Sequence, residues 1–103
     1  MDRQIQLPEE AELYELSEFL RIFSDPTRLK ILFALKQEPT CVTELADSIG
    51  MSQSAVSHQL AIMRRADLIR ADRSGKNIVY SISDDHVSLI IEMALAHTRE
   101  TDI

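Results

Sequence analysis

The sequence predicts a mainly α-helical domain with a small β-hairpin, arranged as a winged helix-turn-helix. Three observations carry that prediction. Two short amphipathic segments, Val42 to Ile49 and Gln53 to Met63, are joined by a turn at Gly50. Directly after them, from Ile69 to Ser83, apolar residues recur at every second position on both sides of Ser74-Gly75-Lys76-Asn77, the pattern of a hairpin. The composition, 45% apolar and 27% charged with only two Gly and three Pro in 103 residues, suits one folded, helix-rich domain.

Residues 1–8 read as a flexible polar arm and residues 9–103 as the folded domain. Leu13, Leu16, Phe19, Leu20 and Phe23 recur at helical spacing and give a first amphipathic helix from about Glu9 to Phe23. Ser24-Asp25-Pro26 restarts the chain, with Asp25 as N-cap and Pro26 as the first helical residue of a second helix reaching about Lys36. Leu29, Ile31, Leu32, Phe33 and Leu35 make that helix apolar nearly all round, so it belongs at the centre of the core. Pro39 breaks it. In the third helix Val42, Leu45, Ala46 and Ile49 face inward, and Gly50 ends it. Cys41 stands at its N-cap with Glu44 three residues on, in the spacing of a capping box. Ser52 caps the fourth helix, whose buried stripe is Ala55, Val56, Leu60 and Met63. The hairpin follows, and a last helix from about Asp85 to Glu100 carries Val87, Ile90, Ile91, Ala94 and Leu95 as its core stripe.

The formal net charge of −6 points away from nucleic acid only while it is read as a total. The acids concentrate at the two ends. Residues 52–80 alone carry an excess of base, through Arg64, Arg65, Arg70, Arg73 and Lys76. Binding to DNA depends on local phosphate contacts rather than on whole-chain charge, so an acidic chain with a basic interior segment is compatible with it. Gln53, Ser54, Ser57 and His58 at the start of the fourth helix are short donors and acceptors of the kind that read base edges in a major groove. Arg64 and Arg65 further along it, and Arg73 and Lys76 on the wing, can reach backbone phosphate. The expected partner is double-stranded operator DNA.

The run Ser52-Gln53-Ser54-Ala55-Val56-Ser57-His58-Gln59-Leu60, with Ser24-Asp25-Pro26-Thr27-Arg28 before it and Gly75-Lys76-Asn77-Ile78-Val79-Tyr80 after it, resembles the ArsR/SmtB family of bacterial metal-responsive repressors. The resemblance extends from Glu9 to Glu100. It implies a homodimer, paired through the first and last helices, that occupies a palindromic operator and leaves it when metal binds.

The last helix opens with Asp84-Asp85-His86 and closes with His97-Thr98-Arg99-Glu100. His86 and His97 lie about 20° apart around the helix but about 16 Å apart along it, too far for one ion to touch both. Two copies crossing antiparallel about a two-fold axis bring Asp84 and His86 of one chain to His97 and Glu100 of the other, giving two identical sites. The resemblance agrees, since these four residues match the ligand pattern of the C-terminal-helix site in zinc sensors of the SmtB type. Nitrogen and oxygen donors without sulfur suit Zn(II), with Co(II) and Ni(II) as competitors, and disfavour arsenite, Cu(I), Cd(II) and Pb(II). The resemblance also implies that His97 donates its second ring N–H toward the backbone near Asp67 and Leu68. Efflux or sequestration of zinc is the implied target function. Cys41 matches a place that contributes to a second site in some members, but the arm has no Cys or His to join it, and Thr43 departs from their Cys-x-Cys pattern.

The other function classes fit less well. The sequence holds no nucleophile–base pair and no Gly-rich phosphate loop, and a four-ligand zinc site has no open position for catalysis, so no enzyme and no small-molecule substrate are expected. There is no membrane-length apolar stretch and no signal-peptide pattern in residues 1–10, and the single cysteine suits a reducing compartment, which together point to the cytoplasm. The main alternative is a winged-helix repressor of the same family that answers to another signal and uses its last helix only to dimerise.

Overall fold

The computed structural model describes residues 4–100; the first three residues of the expected arm and the last three of the expected domain lie outside it. Five helices and three strands follow in the order α1 (Glu10–Ile22), α2 (Pro26–Gln37), β1 (Thr40–Cys41), α3 (Val42–Ile49), α4 (Gln53–Arg65), β2 (Ile69–Ser74), β3 (Asn77–Ile82) and α5 (Asp85–Glu100). This is a winged helix-turn-helix.

Local chemistry sets the boundaries. Asp25 caps α2 by accepting from the Arg28 backbone N–H at 2.9 Å, with Pro26 in the first helical place. Ser52 caps α4 in the same way, accepting from the Ala55 N–H at 3.1 Å. Gly50, in the left-handed region at φ +70°, ends α3 and turns the chain into α4. At the wing, Ser74 pairs with Asn77 across Gly75 and Lys76, and Gly75 alone of the two has positive φ, as a type II′ turn requires. The α1 cap rests on a reciprocal pair, in which Glu9 accepts from the backbone of Glu12 and Glu12 accepts from the Glu9 N–H at 3.1 Å.

Two sequence expectations change. The hairpin is part of a three-stranded antiparallel sheet of order β1-β3-β2, because Thr40 and Cys41 pair with Tyr80 and Val79. Cys41 does occupy the N-cap of α3, but its side chain makes no capping hydrogen bond, so the capping box is not formed. Thiol is a weak acceptor, and the residue is held instead by its backbone pairing in β1.

The core sits where α2 meets the helix-turn-helix. Ile31, Leu32 and Leu35 of α2 pack with Leu45 and Ala46 of α3, Val56, Leu60 and Met63 of α4, and Leu68 and Ile69 at the entry to the wing. Val87 and Ile91 bring α5 onto the same core, and Lys36 pairs with Glu92 at 2.6 Å to tie α2 to α5. α1 is different. No residue of it is buried, and only its last turn reaches the core, through Phe19, Ile22 and Phe23. The Cα radius of gyration is 16.6 Å, against about 13 Å for a compact chain of 100 residues. A single copy also leaves apolar side chains exposed on its outer helices, Leu13, Leu16 and Leu20 on α1 and Leu89 and Met93 on α5.

Candidate functional site

The reading helix is built from its buried side outward. Val56, Leu60 and Met63 fix α4 on the core, which turns Ser54, Ser57, His58, Arg64 and Arg65 to solvent, with Gln53 exposed at the first position. The cap on Ser52 holds the first turn, and the Ser54 hydroxyl lies 3.3 Å from the Ser52 hydroxyl. The N-terminal end of α4 thus presents Gln53, Ser54, Ser57 and His58 to solvent together.

Arg64 and Arg65 line a concavity of about 430 Å³ between α4 and the wing, together with Ser57 and Tyr80. Tyr80 is an addition to the sequence reading. Its place in the β3 alternation marks it as inward-facing, and only the packing of α4 beside the sheet shows that it also borders this concavity. Arg73 stands near the end of β2 and Lys76 in the turn, both exposed. Among the described residues, the side chains of Arg64, Arg73 and Lys76 have no ion-pair or hydrogen-bond partner, and the Arg65 Nε donates to the Ala61 carbonyl at 3.3 Å within its own helix. Arg70, by contrast, is engaged by Asp72 at 3.6 Å and by the Ser81 hydroxyl at 3.3 Å.

The other candidate groups lie on α5. Asp84 precedes the helix and caps it, its Oδ1 accepting from the backbone N–H groups of His86 at 2.9 Å and Val87 at 3.3 Å. The same oxygen lies 3.5 Å from the His86 Nδ1, so the two side chains are neighbours. His97 and Glu100, at i and i+3, share a face at the other end. All four are exposed. Among the described residues of one chain, no three His, Cys, Asp or Glu come together. The chain offers two separate pairs, one at each end of α5.

The backbone near Asp67 and Leu68 has its own partner. Asp67 adopts φ +60°, and the Ser83 hydroxyl donates to its carbonyl at 2.6 Å and to that of Leu68 at 3.1 Å, while the Ser83 N–H also donates to Leu68 at 3.0 Å. The hydrogen bond expected there from His97 is not made within the chain. Cys41 borders a small cavity with Pro39, Thr40, Glu44, Ser74, Asn77 and Val79, which offers no second thiol or imidazole.

A capped helix-turn-helix beside a wing, with exposed cations on both α4 and the wing, is the architecture of a winged-helix DNA-binding protein. A family model described as the bacterial regulatory protein arsR family matches residues 25–71. The HTH-type transcriptional regulator NmtR of Mycobacterium tuberculosis is 44% identical over 85 residues, spanning 82% of this chain and 71% of that protein. The transcriptional repressor SmtB homolog of a Synechocystis species is 39% identical over 103 residues, spanning 97% and 77%. Among solved structures, that of the AntR antimony-specific transcriptional repressor superposes with a TM-score of 0.84 at 35% identity, covering 97% of this chain and 91% of that one. The chain belongs to the ArsR/SmtB family of bacterial transcriptional regulators; it is not an enzyme. Among the described residues, no helix is long and apolar enough to cross a membrane.

Proposed function

We propose that the protein is a metal-responsive repressor that binds a palindromic operator as a homodimer and leaves it when Zn(II) binds at the paired α5 helices, freeing genes for zinc efflux or sequestration. The observation that carries this reading is the exposed face of α5. His86, Leu89, Met93, His97 and Glu100 fall within a sector of about 80° around the helix. Metal-ligating donors stand at its two ends, and Leu89 and Met93 lie between them, 51% and 70% exposed. Such a face suits a second copy laid antiparallel, which would cover the apolar middle and bring the Asp84–His86 end of one helix to the His97–Glu100 end of the other. The exposed Leu13, Leu16 and Leu20 on one side of α1 support pairing through that helix as well.

The donor set fits a divalent ion. Two imidazoles and two carboxylates make a four-coordinate site whose formal charge cancels that of the ion. When bound, the ion supplies a crosslink between the helices. The protein's own contribution is to hold each donor pair in place, through the Asp84 cap and the i, i+3 spacing of His97 and Glu100, and to convert the fixed α5 pairing into a different separation of the two reading helices. The antimony specificity of one relative supports a metal or metalloid signal in this family, whereas Cys41 has no sulfur partner with which to build a thiolate site here.

Metal stoichiometry tests the reading. The native chain should bind one Zn(II) per protomer, and His86→Asn and His97→Asn should each abolish tight binding while remaining folded dimers. A native chain that takes up no zinc would favour a regulator whose last helix only pairs the two copies.

A further inference from the structure

The guanidinium of Arg28 joins two parts of the molecule that otherwise touch little. Its Nε donates to the Ile22 carbonyl at 2.9 Å, and its Nη1 donates to the Gln59 side-chain oxygen at 3.2 Å. Ile22 closes α1, where the last carbonyls have no partner within the helix. Gln59 lies on α4, one residue beyond His58. Arg28 itself is anchored at its backbone, because its N–H is the donor that the Asp25 cap accepts. A planar guanidinium with donors in a rigid fork holds two acceptors at a fixed angle, which a lysine ammonium cannot do. α1 has no buried residue of its own, so beyond the packing of its last turn this fork is the polar tie between α1 and the reading helix.

We propose that Arg28 is a positioning residue for operator recognition, which transmits the orientation of α1 to α4 and so helps set the separation of the two reading helices in a dimer. The inference rests on the reading above that α1 contributes to pairing and that the dimer spans two half-sites. It concerns geometry between protomers: two of the five guanidinium N–H donors of Arg28 are held by protein acceptors on α1 and α4.

The test compares two duplexes: a palindromic DNA selected by the native protein from a random-sequence library, and the same DNA with one half-site scrambled. Arg28→Lys should weaken binding to the palindrome by about tenfold or more and binding to the single half-site by less than about twofold. Gln59→Leu, which leaves α1 and its Ile22 contact untouched, should reproduce the selective loss even if Arg28→Lys is poorly folded. The double variant should be no worse than either single one. Gln59→Glu, which keeps an acceptor, should retain native preference for the palindrome. Equal losses on both duplexes, or native binding by Gln59→Leu, would overturn the role given to Arg28. Selection that returns no palindrome, or a native protein that gains nothing from the second half-site, would instead overturn the dimeric operator reading on which it rests.

Discussion

Replacing Met93 by Glu tests the pairing face of α5 at its centre. In a single copy Met93 is 70% exposed, so the substitution should leave the isolated fold within about 0.5 kcal/mol of native stability. In the proposed dimer the same position lies between two helices, and two-fold symmetry places the carboxylate there twice. An unpaired charge buried in such a place costs about 3–5 kcal/mol. Two copies together should weaken dimerisation by at least ~5 kcal/mol, a change of more than about a thousandfold in the dimer dissociation constant. Sedimentation equilibrium measures that constant, and circular dichroism with a denaturation curve reports whether the fold survives. The expected result is a folded monomer. A variant that dimerises with native affinity would refute pairing through this face, and one that unfolds as a monomer would show that Met93 supports the chain's own core.

Two further perturbations address the reading head. Ser52→Ala removes the side chain that accepts from the Ala55 N–H, and should lower stability by about 1 kcal/mol in a chemical denaturation experiment, with α4 amides in the first turn exchanging faster. Arg73→Ala combined with Lys76→Ala should reduce the slope of log affinity against log salt by about 2 per bound protomer, about 4 for a dimer on the full palindrome, if each side chain makes one phosphate contact per protomer without touching base readout.

Much of the architecture was legible because local signals agreed with the global pattern. Asp25-Pro26, Gly50 and Ser52 each mark a helix boundary by a specific backbone or capping requirement, and the period change after Leu68 marks the wing. The short strand β1 was not legible. Two residues carry no periodicity, and Thr40 and Cys41 become a strand only because Tyr80 and Val79 of β3 lie beside them. The roles of Leu13, Leu16 and Leu20 were ambiguous for a related reason, since helical spacing reports an apolar face but not whether the chain's own core or another copy covers it. Cys41 illustrates a limit of spacing arguments: the position matched a capping box while the sulfur lacked the acceptor strength to form one. On α5 the spacing puts His86, His97 and Glu100 on one face and requires Asp84 to lie before or at the cap, and Asp84 does cap the helix through the His86 and Val87 N–H groups.

In the proposed mechanism DNA and zinc are coupled through the dimer, and such coupling must be reciprocal. Fluorescence anisotropy on the selected palindrome, with and without Zn(II), for the native chain and for His97→Asn, measures it most directly. Both proteins should bind tightly without metal, and zinc should lower the affinity by at least about fivefold for the native chain alone. Equal affinity of the native chain with and without zinc, or full zinc-driven release of His97→Asn, would contradict it.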